Sequence, residues 1–213
     1  MVQVKVCGVR RVVEAEAALA GGASFLGFVF YPPSHRNLRP PQARDLLREI
    51  RAAGTRSDWA AVGVFVNEPA ARVNEIADLC GLDFVQLHGT EPPEYCSQIQ
   101  RPVIKALRLH ELADGPVTAA RFGATRLLLD APGPGSRGGM GETIDWSAAR
   151  PHAAEALVAG GLTRDNVADA LDVLRPWGID VSSGVERDRT KDPQLIESFL
   201  ARVRQWERLT NGN

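Results

Sequence analysis

Eight short runs of consecutive apolar residues punctuate the chain, and most lead through a turn into a segment with helical spacing. The runs lie at 2–6, 25–30, 61–66, 84–87, 103–107, 126–129, 156–159 and 178–181. They start roughly 19 to 36 residues apart, which is the rhythm of a repeated strand–helix unit. A strand with one wet face alternates apolar and polar residues, whereas these runs are apolar at neighbouring positions. They therefore read as strands buried on both faces, hence parallel. Eight such units predict an α/β protein, a (β/α)8 TIM barrel with eight parallel strands, in a single domain over residues 1–213.

The segments between the runs carry helix signals. Residues 11–20 are alanine-rich and stop at Gly21-Gly22, a C-terminal glycine signal. Pro40-Pro41 opens 43–53, proline being tolerated in a helix's first turn. Asn67 is the expected cap of 69–79, where Val73, Ile76 and Leu79 fall at helical spacing. Thr163 is the expected cap of 166–174, and Asp192 that of 194–207, with Leu195, Phe199, Leu200 and Val203 as the inward stripe. The crossover at 91–98 holds two prolines and has room for about two turns.

Composition narrows the function classes. A formal charge of −1 leaves no electrostatic footprint for nucleic acid. No apolar stretch approaches the ~18–20 residues of a membrane span, and the first residues lack the long apolar core of a signal peptide. Three cysteines, far apart, make neither a disulfide framework nor a Cys-x-x-Cys pair. The expected setting is a reducing cytoplasm, with a small-molecule substrate, no nucleic acid and no membrane. The expected assembly is a monomer or homodimer.

In a barrel of this kind, residues at the C-terminal ends of the strands carry the chemistry. Cys7 closes Val-Lys-Val-Cys-Gly and Asp130 closes Leu-Leu-Leu-Asp, so both are expected at that rim. A thiol and a carboxyl facing each other can move protons without metal or cofactor, which points to an isomerase. Alone, Cys7 reads first as a small buried apolar residue, and Asp130 reads equally as a helix cap or strand-end turn former. Cys80 and Cys96 are read as buried apolar residues. Lys5 lies two residues before Cys7, on the same strand face.

Glycine-bearing turns follow the seventh and eighth strands, at the usual phosphate site of such barrels. Gly160, Gly161, Ser182, Ser183 and Gly184 are the expected phosphate grip. Arg36, after the second strand, is a candidate two-pronged contact for a substrate carboxylate, or a solvated loop arginine. His88 ends the fourth strand and either lines the pocket or satisfies a core hydrogen bond. The glycine- and proline-rich segment 131–143 follows Asp130 and is expected to close over a ligand as a lid. No histidine pair has metal-ligand spacing and no Gly-x-Gly-x-x-Gly follows a strand, so no metal and no cofactor are expected.

Together these motifs resemble the phosphoribosylanthranilate isomerase family. The resemblance rests on Lys5-Val-Cys-Gly, Gly27-Phe-Val-Phe with Pro-Pro-Ser-His-Arg, Gly63-Val-Phe-Val-Asn and Val85-Gln-Leu-His-Gly. Leu129-Asp, Gly138-Gly-Met-Gly with Asp145-Trp, Ala159-Gly-Gly-Leu-Thr and Asp180-Val-Ser-Ser-Gly-Val-Glu extend it, in order, to about residue 192. It implies a phosphosugar substrate and an Amadori rearrangement, the third step of tryptophan biosynthesis. N-(5-phosphoribosyl)anthranilate would become 1-(2-carboxyphenylamino)-1-deoxyribulose 5-phosphate. By motif, Cys7 matches the family's general base, Asp130 its general acid, and Arg36 a residue facing the anthranilate carboxylate. Asp180 matches a carboxylate near the substrate. The chain departs from the family pattern at Pro33, His35, Met140 and Ile144, which leaves acid and base in place. Two other readings stand beside this one: a related histidine-pathway isomerase, whose members use two aspartates, and a phosphate-ligand-binding barrel without catalysis.

Overall fold

The structure, a computed structural model, describes residues 1–112, 118–130 and 145–211. Eight parallel strands close into a barrel in chain order. They are β1 (Gln3–Cys7), β2 (Phe25–Val29), β3 (Ala60–Phe65), β4 (Phe84–Leu87), β5 (Val103–Arg108), β6 (Arg126–Asp130), β7 (Ala156–Val158) and β8 (Gly178–Val181). β8 pairs back onto β1, with Lys5 opposite Asp180, and so closes the ring. Each strand matches its predicted run to within one residue at either end, because consecutive apolar residues are a two-faced burial signal.

Helices cover the outside: α1 (Val12–Ala20), α2 (Pro40–Ala53), α3 (Ala70–Cys80), α4 (Pro93–Cys96), α5 (Trp146–Ala153), α6 (Val167–Leu174) and α7 (Pro193–Asn211). Between β5 and β6 the described residues form only two 3-10 turns, Leu109–Leu112 and Ala119–Phe122. After β8 comes a 3-10 turn, Ser183–Val185, then a two-stranded hairpin of β9 (Glu186–Arg187) and β10 (Thr190–Lys191). The α4 crossover is a single turn, shorter than expected, because Pro92 and Pro93 start it late.

Two expected caps are corrected. Asn67 does not cap α3: it sits at φ 53° and its side-chain oxygen accepts from the Thr90 amide at 2.8 Å, tying β3's end to the loop after β4. Pro69 takes the N-cap position. Thr163 does not cap α6 with its side chain. Asn166 folds back instead, accepting from the Thr163 amide at 2.8 Å and donating to the Gly161 carbonyl at 2.9 Å. Asp192 does cap α7, accepting from the amide of Gln194 at 2.9 Å. Asp145 caps α5 in the same way, through the amides of Ser147 and Ala148.

The strand period of two decides which residues face the lumen. Phe25, Val62, Ile104, Ala106, Leu128 and Leu157 form an inner cluster inside the barrel. At its floor Phe25 meets Phe84 edge-on at 5.7 Å and Trp177 at 5.9 Å, and the Arg126 guanidinium lies over Trp177. The alternate residues, such as Val4, Val6, Leu26, Phe28, Leu127 and Leu129, belong to the larger core under the helices. The same parity puts Lys5, Cys7, Gln86, His88, Asp130 and Asp180 on the luminal side. Above the apolar layers, the chain places its polar residues.

Candidate active site

Cys7 ends β1 beside Gly27 of β2. A Cβ at position 27 would lie 2.9 Å from the Cys7 sulfur and 3.2 Å from Lys5 Cε, so the missing side chain is the space that both neighbours occupy. Lys5 is fully buried; its ammonium donates to Asp180 Oδ1 at 2.9 Å and lies close enough to Cys7 for each to shift the other's ionisation. Burial alone would drive Lys5 down, but Asp180 and Cys7 outweigh it and hold the ammonium above the ordinary lysine range. Burial pushes the Cys7 thiol up; Lys5 pulls it back, Asp180 adds to the rise, and the net displacement is upward.

Across the lumen, Asp130 ends β6. Its Oδ2 lies 3.1 Å from His88 Nε2, and His88 Nδ1 lies 2.7 Å from Gln86 Nε2. In this orientation the Gln86 amide donates to Nδ1, the ring proton sits on Nε2, and Nε2 donates to the carboxylate. Gln86 Oε1 is buried with no partner. Turning the amide over would reverse every role: Nδ1–H would donate to Oε1, and a protonated Asp130 would donate to Nε2. The chain of three is therefore compatible with Asp130 in either protonation state. A cavity of about 260 Å³ adjoins it, lined in part by Asn67, Thr90, Arg108 and Glu111.

The two glycine turns form one unit. Gly160 and Gly161 adopt φ 96° and 61°, a region that side chains disfavour. A Cβ on Gly184 would lie 1.9 Å from the Leu162 carbonyl oxygen, so the turns after β7 and β8 touch through backbone alone. The amides of Gly160, Gly161, Ser183 and Gly184 have no acceptor among the described residues. Such a cluster of N–H groups suits a phosphate. Ser182 differs from its neighbours: its hydroxyl donates to the Cys7 carbonyl at 3.0 Å.

Arg36 is no solvated loop arginine. Its Nε and Nη2 each donate at 2.7 Å to a different oxygen of Glu186, and it is buried. Glu186 is also held by the buried Lys191, whose ammonium reaches the Ser182 carbonyl at 3.1 Å. His35 Nε2 lies 3.5 Å from Glu186. Although burial opposes it, pairing with Arg36 and Lys191 drives the Glu186 carboxyl down to about 2. Sequence reasoning missed Glu186 and Lys191, which sit on a hairpin too short to show a strand pattern. It also missed Gln86, although the Gln-x-His spacing on a strand puts both side chains on one face. The expected lid at 131–143, with Met140 and Ile144, lies outside the described residues.

Comparisons with known proteins settle the family. The family model described as N-(5'phosphoribosyl)anthranilate (PRA) isomerase matches residues 4–202. The chain belongs to the PRA isomerase family. A family relative, the N-(5'-phosphoribosyl)anthranilate isomerase of Pelobacter propionicus, is 43% identical over 94% of each chain. The crystal structure of phosphoribosyl anthranilate isomerase from Thermotoga maritima superposes with a TM-score of 0.83 at 36% identity, covering 96% of this chain and all of that one. A solved family structure in complex with reduced 1-(o-carboxyphenylamino)-1-deoxyribulose 5-phosphate gives 0.76 at 33% identity, covering 96% of this chain and all of its own.

Proposed function

We propose that this site converts N-(5-phosphoribosyl)anthranilate to 1-(2-carboxyphenylamino)-1-deoxyribulose 5-phosphate, with Asp130 as general acid and Cys7 as general base. The supporting observation is geometric: a carboxyl and a thiol at the rim of one lumen, beside a double turn whose amides have no acceptor among the described residues. Membership of the PRA isomerase family carries the reaction; the residue roles follow from the arrangement.

The amides of Gly160, Gly161, Ser183 and Gly184, with Ser182 alongside, hold the phosphate, and Arg36 meets the anthranilate carboxylate. Asp130, protonated, donates to the ribose ring oxygen, and the ring opens to a Schiff base. Cys7, as thiolate, removes the C2 proton to give an enolamine, which tautomerises to the ketone. One proton leaves Asp130 and one arrives at Cys7, so the substrate's proton count is unchanged and solvent resets the pair. Deprotonation at Cys7 is favoured by Lys5, whose charge offsets part of the cost of a buried thiolate. His88 keeps the Asp130 carboxyl in place, and Asp180 anchors Lys5.

The test is a fluorescence time course on freshly made N-(5-phosphoribosyl)anthranilate, with wild type beside Cys7→Ala. Wild type should consume the signal rapidly, and the variant should be slower by about 10³-fold. Equal rates would move the base elsewhere. No turnover by folded wild type would sink the reaction itself.

A further inference from the structure

We infer that Glu186, braced by Lys191, is the positioning residue that aims the Arg36 guanidinium at the substrate's carboxylate. This rests on the reading of Arg36 as the carboxylate contact.

A guanidinium offers two forked edges, Nε with Nη2 and Nη1 with Nη2. Glu186 fills the first, with both contacts at 2.7 Å. Arg36 Nη1 makes no hydrogen bond among the described residues. Only the end-on edge remains for a ligand, so the Glu186 contact fixes both the plane and the direction of the fork. Charge points the same way. Arg36 and Lys191 are two cations around one carboxylate, and the remaining positive charge is what an incoming anion would balance. His35 adds none at neutral pH, since burial and Arg36 hold it below its ordinary range.

The support behind Glu186 is built with some strain. Glu186 and Lys191 are cross-strand partners in the hairpin, so their side chains share a face. The turn joining them places Asp188 and Arg189 at φ 50° and 61°, the left-handed conformation that a tight two-residue hairpin turn demands. Neither is glycine, so the turn is held against its local preference. Lys191 then ties Glu186 to the Ser182 carbonyl, beside the phosphate turns.

Glu186→Gln keeps the shape but leaves one acceptor oxygen where two held the guanidinium, so the fork loses its aim even as the local positive charge rises. The experiment measures calorimetric affinity for two probes: reduced 1-(2-carboxyphenylamino)-1-deoxyribulose 5-phosphate, and the same compound lacking the carboxylate. Wild type, Glu186→Gln, Arg36→Met and the double variant are compared. Glu186→Gln should weaken the carboxylated probe about 30-fold, the scale of a charge-assisted hydrogen bond, and leave the other within about 2-fold. In the Arg36→Met background the Glu186 change should have no further effect, because its influence passes through Arg36. Equal losses for both probes, or additive losses in the double variant, would overturn the inference. Should Glu186→Gln fail to fold, Lys191→Met removes the brace alone and should weaken only the carboxylated probe, by about 5-fold; no such selective loss would overturn it too. Turnover is read separately: an inactive wild type would refute the reaction, whereas an active one with no Glu186 effect refutes only this inference.

Discussion

Cys7 sits in a conflict of fields. Burial and Asp180 oppose its ionisation and Lys5 promotes it, so Lys5 limits how far burial lifts the thiol. Removing Lys5 should move the rising limb of the pH–rate profile to higher pH, because the thiolate loses the cation that favours it most. Lys5→Met alone would strand Asp180 as a buried unpaired charge, at a cost of about 3–5 kcal/mol. Lys5→Met with Asp180→Asn is therefore the cleaner variant. The readout is the pH dependence of Cys7 alkylation by iodoacetamide in that double variant against Asp180→Asn alone, and an unshifted midpoint between the two would remove Lys5 from the argument. Burial holds Cys80 up at about 11 and raises Cys96 as well, as it raises Cys7, so the measurement is made in a Cys80→Ala, Cys96→Ala background. At this scale the sequence was partly legible. The spacing of Lys5 and Cys7 put them on one face, but their contact depends on the gap at Gly27, which belongs to another strand.

Among the elements, strands were easier to read than caps. A buried parallel strand announces itself by composition alone, whereas a cap competes with every other acceptor within reach. Asn67 was a fair candidate by type, yet the Thr90 amide claimed its oxygen, a contact 23 residues away in sequence. The hairpin carrying Glu186 and Lys191 was invisible for a different reason: each strand is two residues long, too short for periodicity. The paired glycine turns were visible, but not that they touch. That contact yields a prediction. Gly184→Ala should push the turn after β8 off the Leu162 carbonyl, and the inhibition constant of inorganic phosphate should rise by at least about 10-fold. An unchanged constant would show that these turns do not form the anion site.

At the level of the whole molecule, closure of the ring makes the two chain ends interdependent. α7 packs on α1, and Glu207 near its end accepts from the Val2 amide at the start of β1. Phe199 is fully buried in α7. Phe199→Ala should cost about 3–5 kcal/mol, read by chemical denaturation, with turnover and tertiary signal lost in the same transition. Two separate transitions would mean that α7 melts independently of the barrel. The fold was legible because eight similar units repeat the same pattern. The candidate site was legible where a strand end carried an unusual residue, as at Cys7, His88 and Asp130; the pairings of His88 with Asp130, Lys5 with Asp180 and Arg36 with Glu186 join positions far apart in sequence and were not.

The bond from Ser182 to the Cys7 carbonyl joins the turn proposed to grip the substrate's phosphate to the strand that carries the sulfur. That makes the last and first strands a ruler with its zero at the phosphate. A sugar one carbon shorter would be gripped as firmly and would bring the wrong atom under the thiol, so chain length would be judged by position rather than by affinity.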